Sequence, residues 1–153
     1  MAYGGMVHAL EEIHRLLSPA GVLIDIHPVN EGLHVEIHND GRVELVGDLS
    51  VRQWCTDFEQ ADLALAEVTD RGMFTVEHHR LFDSLIHYGS AAEMRADFSG
   101  SIDRFARDSR SADEARPLAE AMVLRAEEMM GRAAGRAELI TRERTHISRL
   151  KPA

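Results

Sequence analysis

Lysine is nearly missing from this sequence. Lys151 is the only one, and sixteen arginines supply the rest of the 17 basic residues. Arginine is the better fork for carboxylate and phosphate, but it comes here with abundant alanine, and genome base composition explains the bias. Against 26 acidic residues the net charge is -9, which argues against binding a phosphate backbone, so no nucleic-acid partner is expected. Cys55 is the only cysteine. An internal disulfide is therefore excluded, and a cytoplasmic location is the expectation. Aromatic residues make up 5%, so aliphatic side chains and the seven methionines must fill the core. No apolar run approaches the roughly 18 residues that span a membrane. Met1-Ala2-Tyr3-Gly4-Gly5 has no basic region followed by an apolar stretch, so no secretory leader is expected.

What is present is enough for a core. The chain has 153 residues, 44% of them hydrophobic, and a single domain over 1–153 is the expectation. Met6, Val7, Leu10, Ile13, Leu16 and Leu17 recur in steps of three and four, the stripe of a helix with one buried face. Ser18-Pro19-Ala20-Gly21 stops it. Val22-Leu23-Ile24-Asp25-Ile26-His27 reads as a strand covered on both faces and ended by Pro28. Leu33, Val35 and Ile37 alternate with polar residues, Asn39-Asp40-Gly41 signals a turn, and Val43 to Val46 returns. This predicts a separate surface hairpin. A helix over about Val51 to Arg71 follows, closed by Gly72.

Phe74 to Tyr88 reads as one long extended stretch with a bulge or bend near Arg80 to Asp83. Ser90-Ala91-Ala92-Glu93 and Ser111-Ala112-Asp113-Glu114 both have the form of a capping box. The first opens a helix carrying Met94, Phe98, Ile102 and Phe105. The second opens one that runs to about Met130 with Pro117 inside. Gly131-Arg132-Ala133-Ala134-Gly135 suits a helix terminator. Leu139 to Leu150 alternates and is rich in threonine and isoleucine, a final strand.

The stretch Ala9-Leu10-Glu11-Glu12-Ile13-His14-Arg15-Leu16-Leu17-Ser18-Pro19-Ala20-Gly21-Val22-Leu23-Ile24-Asp25 resembles the signature leading into the fifth strand of class I S-adenosylmethionine-dependent methyltransferases. Ala20 stands where that family usually has a first glycine. In the family the last two strands form an antiparallel pair, and the final strand inserts between the fifth and sixth. Phe74 to Tyr88 and Leu139 to Leu150 are similar to that pair. The resemblance covers the family's C-terminal half and implies an α/β fold. Its sheet would be a partial Rossmann-like one made of family strands 5, 7 and 6, mixed parallel and antiparallel, with an extra β-hairpin and flanking helices.

The glycine-rich loop that would cradle the cofactor has no counterpart, nor has the acidic residue that would hold its ribose. The resemblance thus implies a protein that is not catalytic alone and has no cofactor of its own. S-adenosylmethionine would enter only if a partner completed the fold. The fifth strand would lie at a sheet edge, and Val22 to Ile26 would present unpaired backbone and apolar side chains. A homodimer through that edge is expected. The alternative is the C-terminal subunit of a split methyltransferase, completed by an N-terminal partner.

Candidate chemistry is sparse. His27 and Asn30 lie just past the carboxyl end of the buried strand, where open α/β sheets bind ligands, and are the expected remnant of a substrate pocket. Nine histidines raise a metal question. His78 and His79 are adjacent, and His34 and His38 are about 13 Å apart on a strand. Only His87 and His146 are placed to meet across paired strands, so no metal site is expected. Cys55, beside Trp54, reads as a small buried residue. For Arg142, Arg144 and Arg149 the preferred reading is a solvated strand face, with pairing to acidic neighbours or anion binding as the alternatives.

Overall fold

The computed structural model describes residues 3–105, 109–133 and 136–153. The expected terminator residues Ala134 and Gly135 lie outside them, as do Met1 and Ala2. The elements are α1 (Tyr3–Leu16), β1 (Leu23–Asn39), β2 (Arg42–Leu49), α2 (Arg52–Asp70), β3 (Phe74–Tyr88), α3 (Ala91–Phe105), α4 (Ser109–Arg132) and β4 (Ala137–Pro152). The fold is α/β: four helices and one open antiparallel sheet in the order β2-β1-β4-β3. The C-terminal strand lies inside the sheet, between β1 and β3, as expected. The expected mixture of parallel and antiparallel neighbours is not there.

The hairpin is not a separate appendage. The expected strand up to His27 and the first hairpin strand are one element, β1. Pro28 does not end it. The β1–β2 register covers only Leu33 to Asn39 on β1, so Pro28 sits where β1 has no β2 neighbour. A strand tolerates proline on such an unpaired side, because no ladder bond depends on its missing N–H. Gly32, with φ +79°, carries the chain on at an angle only glycine adopts readily. Asp40 (φ 47°) and Gly41 (φ 80°) make the two-residue turn between β1 and β2, with positive φ at both positions as a type I′ hairpin demands. Nor is β1 the edge strand expected of it. β2 lies beyond it, yet the stretch before Leu33 stays outside the β2 pairing.

The chain divides into two compact units. The first comprises Met1–Asn30, Trp54–Asp83 and Arg144–Ala153. Its core is Val7, Ala64, Val68, Phe74 and Leu150, with Met6, Leu10, Ile13, Leu17, Leu23 and Leu65 packed against it. The α1 stripe is therefore as expected, apart from Leu16, which is 71% exposed. Helix α2 ends in a Schellman motif: the Met73 N–H donates to the Val68 carbonyl and the Gly72 N–H to that of Thr69. Gly72 supplies the positive φ this closure needs.

The second unit comprises Glu31–Gln53 and Ser84–Glu143. Val35, Val46, Met94, Ile102, Val123, Leu139 and Ile140 are buried in it. The box at Ser90 forms with a shift: Ser90 Oγ accepts from the Glu93 N–H at 3.2 Å, and Glu93 Oε2 accepts from the Gly89 N–H at 2.8 Å. The box expected at Ser111 does not open a helix, because α4 already starts at Ser109 and runs through Pro117. Among the described residues no helix is long and apolar enough to cross a membrane.

A candidate metal centre

Successive residues of a strand point to opposite faces. In β1 this puts Leu23, Asp25 and His27 on one face and Ile24 and Ile26 on the other. Leu23 packs on the core of the first unit, and Asp25 and His27 lie along the same line. β4 brings His146 beside them, and α2 brings Asp62.

Asp25, His27 and His146 each offer one ligand atom, all within 4.8 Å of one another. Asp25 Oδ2 is 2.9 Å from His27 Nδ1 and 3.2 Å from His146 Nε2. These two nitrogens are 3.1 Å apart, and the ring centroids 3.8 Å. Asp62 Oδ1 stands on the far side of both rings, 3.1 Å from His27 Nε2 and 3.5 Å from His146 Nδ1. The His79 ring approaches His146 edge-on at 5.2 Å. The two histidine side chains are 11% and 12% exposed, and Asp25 20%, so the cluster is largely withdrawn from water but still reachable. Burial alone would lower the His27 pKa. The hydrogen bonds and charges of Asp25 and Asp62 outweigh it, and the net shift is upward.

Of the two expected pocket residues, His27 belongs to this cluster. Asn30 does not: its Nδ2 donates to Glu59 Oε1 on α2. The histidine pair considered from the sequence, His87 with His146, is not the one formed. His87 lies in the second unit, 3.6 Å from Glu138, whereas His146 meets His27. His34 pairs with Asp48, and His38 with Glu36. Arg142 pairs with Glu36, and Arg149 with Glu77, so these arginines are not a purely solvated face. Cys55 is half-buried on α2. A groove of about 510 Å³ in the second unit is lined by Arg125, Glu128, Met129 and Arg132, among others. Its charges alternate in sign, and it gathers no metal-type donor set.

The sequence did carry one part of the cluster. Asp25-Ile26-His27 puts a carboxylate and an imidazole on one strand face, two residues apart. The other part depends on the β1–β4 register and on where α2 crosses, which periodicity does not encode. No family model matches this chain, and neither a curated protein nor a solved structure matches it.

Proposed function

We propose that this chain is a methyltransferase-related protein that self-associates, is disposed to bind a small ligand, and does not transfer methyl groups alone. The first half of β1 carries the reading. Ile24 and Ile26 are 47% and 57% exposed, on a stretch that precedes the β2 pairing at Leu33. Unpaired strand backbone flanked by apolar side chains is an association site. A second copy is a self-complementary cover, because antiparallel pairing about a two-fold axis sets the same residues against each other. The net charge of -9 opposes association in general. Beside Ile24 and Ile26 it does not, since the one carboxylate between Leu23 and Asn30, Asp25, is turned toward His27 and His146.

Descent from half of a Rossmann-like methyltransferase is supported by the order β1-β4-β3, which is the order expected of family strands 5, 7 and 6. Helix α1 and the start of β1 carry the residues of the fifth-strand signature. On this reading the chain alone has no site for S-adenosylmethionine.

Light scattering on the purified chain, with a parallel titration of S-adenosylmethionine, tests it. A dimer that ignores the cofactor is expected, and Ile24→Lys with Ile26→Lys should reduce it to a monomer. A well-folded wild-type monomer would overturn self-association. Saturable cofactor binding by the chain alone would overturn the non-catalytic reading. A monomer that forms a one-to-one complex with a separately encoded N-terminal half would instead favour a split methyltransferase.

A further inference from the structure

Asp25 Oδ2, His27 Nδ1 and His146 Nε2 form a triangle with edges of 2.9, 3.1 and 3.2 Å. Protons do not satisfy it. If both nitrogens carry hydrogen, each donates to Asp25, and two N–H groups then face each other across 3.1 Å. If only His27 Nδ1 carries it, the bare His146 nitrogen faces a carboxylate oxygen at 3.2 Å. If only His146 Nε2 carries it, the bare His27 nitrogen faces that oxygen at 2.9 Å. Each arrangement leaves one edge repulsive.

Asp62 lies where it would support the tautomer a metal needs. Its Oδ1 lies 3.1 Å from His27 Nε2, and a neutral His27 that donates from Nε2 has a bare Nδ1 turned into the triangle. The same oxygen is 3.5 Å from His146 Nδ1 and favours the matching tautomer there. A carboxylate behind a histidine, fixing its tautomer and ring orientation, is the usual outer support of a metal-bound imidazole.

We propose that Asp25, His27 and His146 bind one divalent first-row transition-metal ion, with Asp62 as the positioning carboxylate behind both imidazoles. Two imidazoles and one carboxylate suit Zn²⁺, Co²⁺, Ni²⁺ or Fe²⁺ rather than the all-oxygen preference of Mg²⁺ or Ca²⁺. The triangle has the right size. An ion at about 2.0–2.1 Å from all three atoms would see them at mutual angles of about 90–105°, from octahedral toward tetrahedral values. Three protein ligands leave a position open for water or a small ligand. This inference does not depend on self-association, because Ile24 and Ile26 lie on the opposite face of β1.

The test is titration of the untagged, metal-free full chain with Zn²⁺ by calorimetry, and with Co²⁺ by its visible ligand-field bands. One equivalent is expected to bind with a Kd near or below about 1 μM. His27→Ala and His146→Ala should each weaken binding by about 100-fold or more, and Asp62→Asn by about 10- to 100-fold. His34→Ala, outside the cluster, should change nothing. Because the alanine variants remove half-buried side chains, the wild-type chain gives a second reading: the imidazole nitrogen resonances of His27 and His146 should shift with substoichiometric Zn²⁺. Binding no tighter than about 1 mM, equal binding by the His27→Ala chain, or shifts confined to other histidines would overturn the proposal.

Discussion

Glu36 Oε1 accepts two hydrogen bonds from the Arg142 guanidinium, at 2.8 Å from Nε and 2.6 Å from Nη2. Its other oxygen lies 2.8 Å from His38 Nε2. The residue is 5% exposed. Burial works to raise the carboxyl pKa, but Arg142 and His38 more than offset it, and the net shift is downward. A carboxylate with a depressed folded-state pKa stabilises above its unfolded pKa, and that stability is lost as pH falls through the folded value.

Glu36→Gln should therefore cost about 1.5–3 kcal/mol at neutral pH, the range for hydrogen bonds to charged groups. The loss should shrink as pH drops below the ordinary carboxylate range. Urea unfolding of both proteins at pH 7 and pH 3 checks this. An equal loss at both values would mean that packing, and not the ion pair, accounts for the effect.

The Glu36–Arg142 pair also shows what a sequence conceals. The partners are 106 positions apart, and nothing in the local pattern of either strand names the other. The local devices were legible: the α1 stripe, the Asp40-Gly41 turn, the α2 closure at Gly72 and the cap at Ser90 each follow from a few neighbouring residues. The central place of β4 was legible only through the family resemblance. Pro28 misled, because a proline ends a strand only where its N–H is needed. The pattern of β4 does not reveal that His146 meets His27, since register across strands is set by the whole sheet.

Two glycines should respond with opposite sign. Gly32 has φ +79°, and an added Cβ would stand 2.3 Å from Ser50 Oγ. Gly32→Ala should destabilise by about 1–2 kcal/mol, the cost of a left-handed L-residue. Gly100 lies inside α3, with nothing within 4 Å of an added Cβ. Gly100→Ala should stabilise by about 0.8–1 kcal/mol through helix propensity. Thermal melts of the two variants beside the wild type check both. Because Ser50 is exposed and free to turn, adding Ser50→Gly should not rescue Gly32→Ala, and full rescue would place the cost in the clash.

Helix α3 depends on its first turn. Ser90 Oγ caps the Glu93 N–H, and Glu93 reaches back to Gly89. Ser90→Ala should cost about 1 kcal/mol, and Ser90→Asp should hold most of the stability. Denaturant midpoints at constant slope measure this. A loss in Ser90→Asp as large as in Ser90→Ala would mean the hydroxyl is not acting as a cap.

Tyr88 closes β3 with its hydroxyl inside the second unit. The hydroxyl donates to Asp97 Oδ2 at 2.7 Å and lies 3.4 Å from Thr141 Oγ1. Burial is the main reason its ionisation is pushed strongly upward, and the hydrogen bond to anionic Asp97 adds to it. The folded chain thus keeps this proton when the unfolded chain gives it up. Stability should be level through neutral pH and fall as pH rises above the ordinary tyrosine pKa near 10. Tyr88→Phe removes the titration and the hydrogen bond together. It should cost about 1 kcal/mol at pH 7 and flatten the alkaline fall. Urea midpoints from pH 7 to pH 11 for both proteins measure the slope. An alkaline fall as steep in Tyr88→Phe as in the wild type would assign the effect to Tyr3, whose hydroxyl bonds Glu67, instead of to the buried phenol.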